Sequence, residues 1–144
     1  MNAAPAAVAT AAIFVWLGMV LAISFLETPL KFRAPGVDIS IGLGIGRIVF
    51  RALNRAEITL ALVALAAIAA GRPTGTVAAL AAIVIVILAG QLIIVRPRLN
   101  QRTDRVLAGQ NPPRSAAHHL YYVGLEAAKA LTLAALGVCL LVAG

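Results

Sequence analysis

Four long apolar stretches, separated by turn residues and basic clusters, constrain this chain more than any other feature. They cover residues 6–27, 54–71, 76–95 and 115–143. A helix needs about 20 apolar residues to cross a bilayer, so each stretch is close to or above the length of one membrane span. Only 12% of the 144 residues are charged and 62% are hydrophobic, whereas soluble domains have about 25% and about 45–50%. The sequence therefore predicts an all-α membrane protein with a single four-helix transmembrane domain.

Turn and capping residues predict where these spans begin and end. Pro29, together with Pro35 and Gly36, marks the end of the first span, because proline lacks a backbone N–H and clashes with the preceding turn. Asn54, with Glu57 three residues later, forms a capping pattern that predicts the start of the second span. The connection formed by residues 72–75 is short, so the second and third helices are expected to lie antiparallel.

The other boundaries follow from the same chemistry. The third span is expected to end before Pro97, because the residue before a proline disfavours the helical conformation. Ser115 is a predicted N-cap for the fourth span. The expected architecture is thus an antiparallel bundle of four transmembrane helices.

The segment 37–53, between the first and second spans, is apolar but rich in glycine. Arg47, Arg51 and Arg55 follow one another at intervals of four, which places them on one face of a helix. This pattern predicts an interfacial amphipathic helix on the inner leaflet, with the three arginines bound to anionic lipid headgroups. A specific anion site at the same arginines is the alternative.

Basic residues are distributed unevenly among the three connections, which predicts the orientation of the protein in the membrane. The second connection contains only Arg72. The first and third each contain five basic residues: Lys31, Arg33, Arg47, Arg51 and Arg55 in the first, and Arg96, Arg98, Arg102, Arg105 and Arg114 in the third. The positive-inside rule places these two in the cytoplasm and both termini on the non-cytoplasmic side of the cell membrane. The net charge of +7 is therefore attributed to anionic lipid headgroups, and no nucleic-acid partner is expected.

Ionisable side chains within the spans are the strongest indication of a site. Each costs about 2.5–3.5 kcal/mol at the centre of a membrane helix, so such residues face a bundle interior or a cavity. In the fourth span Glu126 and Lys129 extend a polar stripe at helical spacing. With polar residues of the other three spans they predict one ion or substrate pathway in the cytoplasmic half, made of Glu27, Glu57, Gln91, His118, Tyr122, Glu126 and Lys129.

This group of residues has two interpretations. Three glutamates exceed the single deep lysine, which favours carboxylates that exchange a proton or bind a cation. The alternative is that the polar groups only join the helices to one another.

Metal and enzyme chemistry are not predicted. Di-iron bundles use Glu-x-x-His, whereas this chain has Glu126-x-x-Lys129, and the adjacent His118 and His119 point about 100° apart on a helix. Nucleophile–base pairs, phosphate loops and zinc motifs are missing from the sequence, so no catalytic residue is assigned and no cofactor can be named. A membrane enzyme or quinone-binding protein that uses Tyr122, His118 and Glu126 is a weaker alternative.

Four segments, residues 16–19, 24–32, 46–50 and 96–100, carry a resemblance to a known pattern. The chain resembles the small four-helix membrane proteins of a domain family of unknown function that is distantly similar to the copper-resistance D membrane proteins. The recurring positions of that family match Pro29, Phe32, Gly46 to Phe50, and His118 or His119. The resemblance implies the four-helix topology and no settled activity. Three residues depart from the family pattern: Glu27, Glu126 and Lys129.

The function predicted from the sequence is that of a small membrane transporter or channel for protons, cations or metal ions. Four short helices enclose little volume, so a homo-oligomer is expected. The alternative is an accessory or assembly subunit of a larger membrane complex.

Overall fold

The computed structural model describes residues 1–110 and 116–144, with the side chains of the second segment described from residue 120 onward. The described residues form helices and turns, and none of them lies in a strand. Within these described residues, four helices are long and apolar enough to cross a membrane. They are α1 (Ala3–Lys31), α2 (Ile39–Ala70), α3 (Gly75–Leu107) and α4 (Ala116–Ala143). The prediction of an all-α protein with four potential membrane spans is confirmed.

α1 and α3 each contain a π-helical segment that ends two residues before a proline. These segments are Leu21–Glu27, before Pro29, and Gln91–Val95, before Pro97. A π turn widens the helix and disrupts the regular i to i−4 hydrogen bonds, so the proline ring and its missing N–H are accommodated. α1 continues past Pro29 to Lys31 and ends before Pro35 and Gly36. The prediction that the third helix ends before Pro97 is wrong, because α3 continues to Leu107.

α2 is one continuous helix, so the predicted helix start at Asn54 is also wrong. The Asp38 carboxylate accepts a hydrogen bond from the backbone N–H of Ile41 at 2.8 Å and caps the helix 16 residues earlier than predicted. Glycines in this first part cost about 1 kcal/mol each in a helix. Two of them, Gly42 and Gly46, are buried against the end of α1. Segment 37–53 is therefore not a helix separate from the second span.

An apolar core lies where the four helices meet. α1 packs against α2 and α4, and α3 packs against α4. The core residues are Ala9, Ala12, Ile13, Trp16 and Val20 of α1, Ala61, Ala64 and Ile68 of α2, Val77, Ala81, Val84 and Leu88 of α3, and Leu133, Leu136 and Leu140 of α4. They occupy one face of each helix, and the opposite faces expose large apolar side chains, as lipid contact requires.

Three points of the chain lie together at one end of the molecule. The Met1 amino group donates to the backbone carbonyl of Ala143 at 3.2 Å. The neighbouring N–H of Asn2 donates to the carbonyl of Gly71, at the end of α2, at 3.1 Å. The first residues of α1, the last of α4 and the α2–α3 turn are thus in contact.

Candidate functional site

Each of the four helices contributes a polar side chain to one buried cluster next to the apolar core. We call it the Lys129 cluster: Trp16 of α1, Glu57 of α2, Gln91 of α3, and Glu126 and Lys129 of α4. None of the five residues is more than 2% exposed. Such burial is costly for charged groups unless they are paired and hydrogen-bonded. The contacts within the cluster are therefore decisive for its role.

The Lys129 ammonium group is bound by three oxygen atoms from three side chains. It donates to Oε1 of Glu57, to Oε1 of Gln91 at 2.7 Å, and lies 2.7 Å from Oε1 of Glu126. An ammonium group has three N–H donors and no acceptor, so this set can satisfy it completely. The lysine thereby joins α2, α3 and α4 through one atom.

Two further hydrogen bonds orient the acceptors of the cluster. Trp16 donates its indole N–H to Oε1 of Glu57 at 3.0 Å, which brings α1 into the same set of contacts. The amide nitrogen of Gln91 donates to Oε1 of Glu126 at 2.6 Å. Both carboxylates are thus held by a neutral donor as well as by the ammonium.

The charges of the Lys129 cluster do not balance when all its groups are ionised. Glu57 and Glu126 share the single ammonium of Lys129, which leaves a net charge of −1. Oε2 of Glu126 is buried and has no hydrogen-bond partner among the described residues. Among its own side chains the cluster therefore carries one more negative than positive charge, and one buried acceptor atom is left over.

The sequence forms this cluster by continuing the buried stripe of each helix with a polar residue. In α4, Lys129 precedes Leu133, Leu136 and Leu140 at intervals of four, three and four. The equivalent stripes are Ala9, Ile13, Trp16 and Val20 in α1, Glu57, Ala61, Ala64 and Ile68 in α2, and Val77, Ala81, Val84, Leu88 and Gln91 in α3. This 3–4 spacing keeps successive residues on one helix face.

Trp16 is a member of the cluster that sequence reasoning missed. An aromatic residue in a membrane helix is usually an interface anchor or a packing residue, and the sequence alone gave no reason to treat Trp16 otherwise. Its position in the stripe of α1, in register with Ile13 and Val20, could have placed it inside the bundle.

A second layer, formed by Arg96, Phe50 and Tyr122, adjoins the cluster. The guanidinium of Arg96, which is 8% exposed, donates to the hydroxyl of Tyr122 at 3.0 Å. Its central carbon lies 4.0 Å from the centre of the Phe50 ring and 4.9 Å from that of Tyr122, and the two rings meet edge to face at 5.9 Å. Cation–π contacts of this kind are worth about 2 kcal/mol or more when desolvated. Arg96 is a second residue that was missed, because the helix was expected to end beside it.

The predicted pathway residues fall into separate groups. Glu57, Gln91, Glu126 and Lys129 lie together, and Tyr122 belongs to the neighbouring Arg96 layer. Glu27 lies 3.7 Å from the ammonium of Lys31, on the same helix, and has no contact with the cluster among the described hydrogen bonds and ion pairs. The side chain of His118 lies outside the described residues.

The three arginines predicted to bind lipid differ in their surroundings. Arg47 contacts α3, where its guanidinium donates to the Asp104 carboxylate at 2.5 Å and to the backbone carbonyl of Asn100 at 3.1 Å. Arg51 and Arg55 are exposed. Arg47 therefore connects the first part of α2 to the last part of α3, through a partner 57 positions away.

No three histidine, cysteine, aspartate or glutamate side chains lie close enough to hold a metal ion within the part of the chain that the structure describes. Comparisons with protein-family models, curated proteins and solved structures found no match to this chain. The resemblance to relatives of the copper-resistance D proteins therefore stays a prediction.

Proposed function

We propose that this chain is a small membrane transport protein in which the Lys129 cluster binds and releases a proton. The observation that carries the proposal is the charge imbalance: two buried carboxylates share one ammonium, and Oε2 of Glu126 has no partner among the described residues. A proton at this carboxyl would make the cluster neutral. Ionisable groups kept inside a membrane bundle at such cost are typical of proton relays.

A proton suits this cluster better than a larger cation. The Lys129 ammonium already occupies the point at which oxygen atoms of Glu57, Gln91 and Glu126 converge. A metal or alkali cation would have to displace a charge that is covalently attached to α4. A proton needs no cavity and can pass along hydrogen-bonded groups. Tyr122 is a hydroxyl-bearing residue one helical turn before Glu126 on the same helix.

The membrane arrangement that fits this proposal is an antiparallel bundle with both termini on the non-cytoplasmic side. Contacts among Met1, Gly71 and Ala143 support it, because they bring the termini and the weakly basic α2–α3 turn to one end. The strongly basic connections then lie in the cytoplasm. The first part of α2 would lie at the inner interface of the cell membrane, where the exposed Arg51 and Arg55 reach anionic headgroups.

An accessory subunit of a larger membrane complex is the second candidate. It is favoured by the closure of the cluster: residues of the Lys129 cluster line neither of the two described surface grooves. If no proton reaches Glu126, the polar contacts would serve only to hold the four helices together. A homo-oligomer is expected for the transporter and a different, stoichiometric partner for the subunit.

Proteoliposomes containing a pH-sensitive dye test the transport proposal. A potassium diffusion potential is applied, and internal pH is followed for the wild type, Glu126→Gln and Asp38→Asn. Asp38→Asn is the matched control, because it makes the same acid-to-amide change at an exposed N-cap. Asparagine caps a helix about as well as aspartate, so the fold should be kept. The wild type and Asp38→Asn should move protons, and Glu126→Gln should match empty liposomes. Absence of flux in the wild type, with a second protein retained in gentle detergent, would favour the accessory subunit.

A further inference from the structure

An apolar groove of about 270 Å³ lies on the surface between α3 and α4. Its lining consists of Gly90, Ile94, Val95, Arg98, Leu99, Tyr121 and Leu125. A Cβ added at Gly90 would meet no atom within 4 Å, so the space beside this glycine is open. The volume is just below the roughly 300–1,000 Å³ of pockets for compact organic ligands. The groove therefore suits a slender apolar chain.

Positive charge begins where this groove ends and continues along the same face of α3. Arg98 lines the groove, and Arg102 and Arg105 follow at intervals of four and three, which stacks them on one side of the helix. Arg98 and Arg105 are exposed and Arg102 is half-buried. None of the three forms a salt bridge with another residue of the described segments. Their charges are thus available to an external anion.

We infer that the groove binds one acyl chain of an anionic phospholipid, whose phosphate is bound by Arg98 and Arg102. The apolar groove and the arginines are arranged in the order of a lipid tail and its headgroup. Gly90 and Arg98 are eight residues apart, at most about 12 Å along the helix. The part of an acyl chain nearest the headgroup can therefore lie in the groove while the phosphate reaches Arg98. Lysine and arginine beside membrane spans attract anionic lipids by about 1 kcal/mol each. This inference does not depend on proton transport.

The test is thermal unfolding of the full chain in a neutral detergent, with dioleoyl phosphatidylglycerol or dioleoyl phosphatidylcholine added. A ligand that binds the folded state raises its melting temperature, and we expect phosphatidylglycerol to raise Tm by about 4 °C or more. Phosphatidylcholine should have a much smaller effect. Gly90→Leu, which fills the groove, and Arg98→Gln, which removes the charge, should each abolish most of the phosphatidylglycerol shift.

Two matched variants control for nonspecific effects. Gly18→Leu makes the same change at an exposed glycine of α1, away from the groove, and Arg33→Gln removes an exposed arginine after α1. Both should keep the full shift. The proposal is overturned if phosphatidylcholine or chainless glycerol phosphate produces the same shift, or if the controls lose it as well. It is also overturned if the protein is a dimer that Gly90→Leu separates, since a second copy would then occupy the groove.

Discussion

Glu57 and Lys129 form an ion pair between α2 and α4, although they are 72 positions apart in the chain. Both side chains are almost completely buried. Loss of one partner of a buried pair leaves the other charge unpaired, which is much more destabilising than loss of both partners. The pair is therefore expected to determine how α2 and α4 assemble as well as to hold charge.

Lys129→Met should lower the free energy of unfolding by about 3–5 kcal/mol, because it leaves the carboxylates of Glu57 and Glu126 together without a cation. The double variant Glu57→Gln/Lys129→Met should cost less than the sum of the two single variants. Thermal or chemical unfolding in detergent gives these values. Arg33→Met, at an exposed position, should change stability by less than about 0.5 kcal/mol. Additive costs would show that the pair is not coupled.

Trp16 provides a direct optical signal from the cluster. It is the sole tryptophan of the chain, and its N–H donates to Glu57, which shares the Lys129 ammonium with Glu126. Its emission should therefore depend on the charge of the cluster. We expect the emission maximum to shift over a pH titration in the wild type and in Asp38→Asn. In Glu126→Gln, which removes the proposed proton site, the shift should disappear. A wild-type emission that does not change while the protein stays folded contradicts proton uptake next to Trp16.

Gly137 and Gly124 of α4 form a matched pair for testing the α1–α4 contact. A Cβ at Gly137 would lie 2.7 Å from the Phe14 ring of α1, whereas one at Gly124 would meet nothing within 4 Å. Gly137→Leu should therefore destabilise the protein by roughly 1–3 kcal/mol through overpacking. Gly124→Leu should stabilise it by up to about 1 kcal/mol, because leucine favours the helix. Equal effects in an unfolding experiment would contradict this contact.

Arg96 and Tyr122 should be energetically coupled. Arg96→Gln and Tyr122→Phe each remove the hydrogen bond between them, and the first also removes the contact with the Phe50 ring. A double-mutant cycle in unfolding measurements should give a coupling energy of about 1–2 kcal/mol. A coupling energy near zero would mean that the hydroxyl and the guanidinium act independently.

Much of the cluster could be predicted from the sequence, because charge inside a membrane span is costly and must be paired. That argument brought Glu57, Gln91, Glu126 and Lys129 to one region. It did not identify Trp16, because the large apolar ring of a tryptophan suggests a packing or interface residue rather than a hydrogen-bond donor. Nor could it exclude Glu27, which forms its ion pair at 3.7 Å with Lys31 one turn away on the same helix, and not with the cluster.

Helix ends were less predictable than the cluster. Prolines and capping patterns act over one turn, whereas the continuity of α2 past Asn54 and of α3 past Pro97 depends on packing between helices. The salt bridge between Arg47 and Asp104 illustrates the difference. Its two residues are 57 positions apart in the sequence, and it exists only if α3 continues beyond its proline.

The wide turn of α3 has a consequence for how chains of this kind can be compared. Gln91 and Arg96 are five residues apart, yet both are buried, which a regular helix would prevent by rotating one of them well away from the other. The turn between them behaves as a one-residue insertion. In a related chain that lacks the insertion, the residue equivalent to Arg96 would stand one position earlier. The number of residues after the position equivalent to Gln91, rather than the residue type at one fixed position, would then be the better guide to the inward-facing arginine.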